Sequence, residues 1–132
     1  MNVLDLLMSQ HREVESQFNA YDSGDHSVGS DIVQKLELHT KIEETLVYPA
    51  IREYVEGGDA MIDHAEDEHN AVKKLIKKFK ADFENTDVFT KIKEDVMHHV
   101  GEEEAEVFPA LREACTEEYL NDLGTQAEAV TL

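Results

Sequence analysis

The stretch His39 to Glu53, HTKIEETLVYPAIRE, decides how this chain is read, because it returns sixty residues later as HVGEEEAEVFPALRE, His99 to Glu113. Eight of the fifteen positions are identical: the His, two consecutive Glu (43/103 and 44/104), a Val, the Pro, the Ala, the Arg and the closing Glu. Tyr48/Phe108 and Ile51/Leu111 are conservative pairs. Residues four apart project from one face of a helix, so each copy stacks an imidazole one turn from a carboxylate, His39 with Glu43 and His99 with Glu103. That is the spacing of a metal-ligand pair.

The flanking sequence is helical in pattern. Leu4, Leu7, His11, Val14, Phe18 and Tyr21 recur at steps of three and four and mark an amphipathic helix over residues 3–21. A Gly-, Ser- and Asp-rich loop follows at 22–30, and Ser30 or Asp31 is placed to cap a second helix running to about Val55. Asp59 is placed to cap the third, whose stripe is Ile62, Glu66, His69, Val72, Phe79 and Phe83; Asn85 opens the fourth, with Phe89, Ile92, Val96, His99, Glu103 and Phe108. Pro49 and Pro109 lie inside the second and fourth helices and predict equivalent kinks.

A weaker echo relates helices one and three at an offset of 58, pairing Leu4 with Ile62, His11 with His69 and Val14 with Val72. The chain therefore reads as a duplicated helix pair, all-α, folded as an up-down-up-down antiparallel four-helix bundle over residues 1–113. Residues 114–132 form an acidic C-terminal tail, packed on the bundle or frayed from it, with a short helix from Glu117 to Leu123 closed by Gly124.

Depth follows from the rise of about 1.5 Å per residue. His11, His39 with Glu43, His69, and His99 with Glu103 all reach one middle layer. Four imidazoles and two carboxylates buried together need partners for each charge. Any one of these histidines alone reads as a hydrogen-bonded core residue, but the repeated, level set reads as a metal site. Two bridging carboxylates and four imidazoles give each of two ions two nitrogens and two oxygens, a donor set suited to iron, manganese or zinc. His64 and His98 turn about 140° and 100° away from His69 and His99 and are expected at the surface.

Composition narrows the partners. With 12 basic and 30 acidic residues the formal charge is -18, which repels phosphate backbones and anionic lipid, so neither nucleic acid nor membrane is an expected partner. No run of eighteen apolar residues and no basic segment ahead of an apolar one is present, and Cys115 is the single cysteine; the expected location is cytoplasmic.

These residues resemble the hemerythrin-like, HHE cation-binding domains over residues 3–113. The parts that carry the likeness are His11, H39-x3-E43 followed by YP, His69 in a DEHNAVKKL context, and H99-x3-E103 followed by FP. The resemblance implies a four-helix bundle holding two non-heme iron ions, oxo- or hydroxo-bridged, with the four histidines as terminal ligands and Glu43 and Glu103 as bridges. Zinc and manganese are the lesser alternatives.

Oxygen-carrying members of that family have a fifth histidine from an H-x3-H pair on the third helix, whereas here Ala65 and Lys73 flank His69 at those positions. The reduced set implies a small diatomic or peroxide ligand and, in relatives, roles in peroxide, nitric oxide or iron homeostasis. Glu66 and Tyr48 stand as candidates for an extra ligand or an outer hydrogen-bond partner, against a solvated Glu and a core Tyr. No catalytic residue distinct from the metal ligands is evident. Two functions remain open: a di-iron enzyme that decomposes peroxide or activates oxygen, and a non-catalytic binder, sensor or buffer of oxygen, nitric oxide or iron signalling through a protein partner. A structural zinc site is the bland third.

Overall fold

A computed structural model describes residues 1–132. Its helices are α1 Val3–Asp22, α2 Gly29–Ile42, α3 Tyr48–Tyr54, α4 Gly58–Ala81, α5 Thr86–Glu102, α6 Phe108–Ala114 and α7 Glu117–Glu128, with no strand. Short π-helical turns, Glu43–Val47 and Glu103–Val107, join α2 to α3 and α5 to α6 without a break. Four rods result: α1, α2 with α3, α4, and α5 with α6. Three-residue and four-residue links at 55–57 and 82–85 make sequential rods antiparallel neighbours, so the chain is the four-helix bundle its duplication predicts. No helix is long and apolar enough to cross a membrane.

The prolines act differently from the expected kinks. Pro49 has no N–H to give the Thr45 carbonyl, and the ladder widens just ahead of it: the Tyr48 N–H bonds the Glu43 carbonyl, five residues back. The Phe108 N–H does the same to Glu103. At 100° per residue, a position five after Glu43 would sit about 140° around the helix; a π turn absorbs one residue and brings it to about 40°. Tyr48 and Phe108 therefore face the same way as the glutamates.

Asn85 caps α5 as the sequence indicates, and Asn2 and Thr116 cap α1 and α7, all through side-chain oxygens. Other ends differ from the sequence reading. The second rod begins at Gly29, after a 3₁₀ turn capped by Asp25 rather than by Ser30 or Asp31. At the α3–α4 corner Gly57 takes φ 75° with no side-chain cap, and Asp59 instead accepts from Arg52. Gly124 does not close the last helix. It lies inside α7, where Leu120, Leu123, Gly124 and Ala127 are buried against the bundle.

The core is in two parts. One apolar cluster, around Leu4, Leu7, Ile51, Ile62, Phe108, Leu111 and Leu120, fills the end that holds both chain termini. The other, around Phe18, Tyr21, Ile32, Phe79, Phe89 and Ile92, fills the opposite end. Fully burying each such side chain contributes about 1.5–3 kcal/mol. Between them runs a polar layer, and apart from Asn2 its six members are the buried polar side chains of the protein: His11, His39, Glu43, His69, His99 and Glu103.

Candidate metal centre

The six residues converge as two overlapping groups. His11, His39, Glu43 and Glu103 offer ligand atoms within 4.8 Å of one another, and so do Glu43, His69, His99 and Glu103. Both glutamates belong to both groups. Glu103 reaches His11 with Oε1 and His99 with Oε2, each at 3.2 Å. Glu43 Oε1 lies 3.2 Å from Nε2 of both His39 and His69. The imidazoles meet pairwise through Nε2, His11 with His39 at 3.2 Å and His69 with His99 at 3.1 Å.

The outer nitrogens explain why all four rings point inward. Nδ1 of His11 contacts Glu104 at 2.7 Å, that of His69 contacts Glu44 at 2.8 Å, that of His99 contacts Glu68 at 2.8 Å, and that of His39 contacts the Gln10 amide oxygen at 2.8 Å. A partner on Nδ1 fixes the ring and frees Nε2 for a cation. Sequence reasoning passed over all four partners, yet the signal was there. Glu44 and Glu104 are among the identical positions of the repeat, and Gln10 and Glu68 precede His11 and His69 at the same offset of 58.

Of the two outer candidates, Tyr48 is in the layer and Glu66 is not. The Tyr48 hydroxyl donates to Glu103 Oε2 at 2.8 Å and lies 3.0 and 3.1 Å from Nε2 of His69 and His99. Its repeat mate Phe108 stacks on His11 instead, with centroids 5.8 Å apart. Glu66 turns toward solvent and Arg52, 3.5 Å away. On α4 the position that faces α5 is 68, so Glu68 has the role foreseen for Glu66. At the fifth-histidine positions Ala65 is a small buried residue and Lys73 bonds Glu44 at 2.9 Å.

The layer leaves carboxylate oxygens open to a cation. Both oxygens of Glu43 and Oε1 of Glu103 are buried without a hydrogen bond, a costly arrangement unless something positive sits among them. Mixed carboxylate and imidazole donors suit iron, manganese or zinc, so the residues fit the metal pair. Burial alone would raise the Glu43 carboxyl, but the charge of His39 and the close approach of the His39 and His69 imidazoles hold it well below the usual carboxylate range. Burial opposes a charge on His99, yet Glu103 and Glu43 push it up to about 10. His11 and His69 are likewise raised, against burial, by Glu103 and Glu43 respectively. Burial, then the charges of Glu43 and Glu103, drive the Tyr48 phenol far above its ordinary value and keep it protonated.

These shifts fix the pH behaviour of the metal-free protein. Raised histidines stabilise the fold fully below their ordinary value of 6.5, and the contribution is lost as pH climbs through their folded values. The lowered Glu43 contributes above its ordinary 4.5 and loses this as pH falls. Metal needs neutral imidazoles, so loading at pH 7 must expel protons, at least the one on His99. Titration calorimetry with Zn²⁺ in buffers of different ionisation enthalpy is expected to register at least one proton released per chain. Heats independent of buffer would contradict this protonated layer.

Beside the layer lies a cavity of about 40 Å³, walled by Val14, Leu36, Val72, Val96 and Val100 and reaching His11, His39, Glu43, His69 and His99. With about 10–15 Å³ needed per water on this measure, it holds a molecule of two or three heavy atoms.

The chain is 28% identical over 126 residues to an uncharacterized hemerythrin-like protein of Schizosaccharomyces pombe, covering 88% of this chain and 62% of that one. It is 25% identical over 138 residues to a DNA nickase of Nostoc sp., covering 98% of this chain and 39% of that one. It thus spans less than two thirds of the length of these curated relatives. No solved structure matches it. The Hemerythrin HHE cation binding domain matches residues 2–111, a span that takes in every member of the buried histidine and glutamate layer, and the chain belongs to that family.

Proposed function

We propose that the chain holds two non-heme iron ions on His11, His39, Glu43, His69, His99 and Glu103, and that it acts on small oxygen species, decomposing hydrogen peroxide or activating oxygen. The observation that carries this reading is the sharing of two buried, hydrogen-bond-poor carboxylates between two imidazole pairs. Iron, when bound, supplies electrons and Lewis acidity. The chain supplies the rest. The apolar cavity beside the layer has room for a diatomic or peroxide molecule and not for a larger substrate. Tyr48 holds a proton on its hydroxyl beside His69 and His99, where an incoming oxygen atom can accept it. The histidine that oxygen carriers add has no counterpart, and the Tyr48 hydroxyl lies beside His69 and His99 in its place.

The Nostoc likeness does not bring DNA cleavage with it, because a formal charge of -18 repels a phosphate backbone. The location we propose is the cytoplasm, where a reducing pool keeps Cys115 a thiol. The second reading, a non-catalytic binder, sensor or buffer of oxygen, nitric oxide or iron, is favoured by one observation: the relatives are longer, so domains of this kind occur joined to other sequence that can carry a signal. Iron-loaded protein given hydrogen peroxide in an oxygen electrode separates the two. Sustained evolution of one O₂ per two peroxides is expected; a single stoichiometric spectral change with no further oxygen would transfer the assignment to the binder.

A further inference from the structure

The histidines that helical phase turns away from the buried layer do not scatter over the surface. His64 and Glu68 are one turn apart on α4, His98 and Glu102 one turn apart on α5, and the two antiparallel helices bring all four together. Glu102 holds His64 Nε2 with one oxygen at 2.9 Å and His98 Nε2 with the other at 2.7 Å. Glu68 Oε2 lies 3.6 Å from His64 and 3.5 Å from His98. Ligand atoms of His64, Glu68 and Glu102 fall within 4.8 Å of one another. The other oxygen of Glu68 grips His99 Nδ1 of the buried layer at 2.8 Å. One carboxylate therefore touches both the surface cluster and the interior.

Two further observations set this cluster apart from ordinary surface ion pairs. A cavity of about 250 Å³ is lined by His64, Glu68 and Glu102 together with His99 and Glu103, which sets the cluster next to the buried ligands. The duplication also offers an internal comparison. At offsets of 58 and 60, the counterparts of His64, Glu68, His98 and Glu102 are Leu6, Gln10, Leu38 and Ile42. That opposite face is apolar: Ile42 belongs to the end cluster that contains Leu120, Leu123 and Ala127 of α7, and Leu6 and Leu38 pack onto it. The buried ligands are duplicated, whereas the surface cluster occurs on one side only, the side α7 leaves uncovered.

We propose that His64, Glu68, His98 and Glu102 form a surface site for a divalent transition-metal cation, and that this site loads the buried pair. Two imidazoles and two carboxylates select the same class of ion as the interior, Fe²⁺, Mn²⁺ or Zn²⁺. An open, partly hydrated site holds it more weakly than the buried layer does, as a loading station must. The surrounding charge of -18 draws cations toward it. The loading role rests on the buried centre being the destination; binding at the surface does not.

Co²⁺ alone serves as the probe, with uptake followed by equilibrium dialysis and the filling of the buried centre by its absorbance. Wild type is expected to take up three cations per chain, two tightly and one weakly. The His64→Ala/His98→Ala variant, altered at side chains that are 61% and 66% exposed, is expected to take up two, with filling slowed about tenfold or more, the scale on which metal-site partners act. Glu43→Gln/Glu103→Gln, stripped of the buried pair, is expected to retain one weakly held Co²⁺, which His64→Ala/His98→Ala in that background removes. That last pair of measurements tests the surface site even if the buried reading fails. Equal uptake and equal filling rates in wild type and His64→Ala/His98→Ala would overturn the proposal.

Discussion

Glu103→Ala and Glu43→Ala are each expected to empty both metal positions, not one. Each carboxylate faces an imidazole from both pairs, so on the proposed two-ion arrangement its removal would take a donor from both ions. Changing even an outer partner of a metal ligand costs about 10–100-fold in affinity; loss of a shared inner one is expected to exceed about a hundredfold for both ions. The metal-free fold suffers as well, because the raised imidazoles are left without their counter-charge, a situation that costs about 3–5 kcal/mol. Glu103→Gln and Glu43→Gln keep the volume and separate the two effects. Elemental analysis checks the outcome: one ion retained per chain in either alanine variant, or two with an unchanged spectrum, would sink the shared-carboxylate arrangement.

Gly124→Ala is expected to destabilise the protein although it places a better helix former in a helix. In an exposed helix interior this change gains about 1 kcal/mol. Here an added Cβ would lie 1.7 Å from the Met1 carbonyl oxygen and 3.2 Å from the Val3 nitrogen. Backbone atoms cannot swing aside like a flexible side chain, so either the N-terminus or α7 must move. The Asn2 cap, which also donates to Glu117, moves with them. Overpacking of this kind costs about 1–3 kcal/mol, a fall in Tm on the order of 10 °C for a domain of this size. A higher Tm than wild type would mean that α7 does not press on the N-terminus.

The sequence carried the bundle because its duplication doubled every signal. His39 with Glu43 and His99 with Glu103 appear at the same helical spacing in both copies, and the apolar stripes set the depth at which they meet. Phase within a regular helix was therefore readable, but local departures from regularity were not. The π turns are hidden because a proline signals a missing hydrogen bond without saying how the ladder adjusts, so the inward turn of Tyr48 had no mark in the spacing. Glu66 failed for a related reason. Periodicity gives its angle from His69 but not which neighbouring helix faces that angle, and α5 faces Glu68. In α7, glycine has two meanings in sequence, a terminus or a close approach, and only packing separates them.

The polar layer divides the hydrophobic interior into two half-cores, one around Leu4 and Ile51 and one around Phe79 and Phe89. Apolar contact falls off where the layer crosses, so without ions the halves are coupled mainly through the continuity of the four rods. Ions that bind all four rods at mid-length rivet the halves together. The unit that opens in a fluctuation is then expected to change with occupancy, from half a bundle in the metal-free protein to the whole bundle in the loaded one. Metal state is then expected to set cooperativity as well as stability, and limited proteolysis to distinguish empty from filled molecules by the size of the segment that breathes.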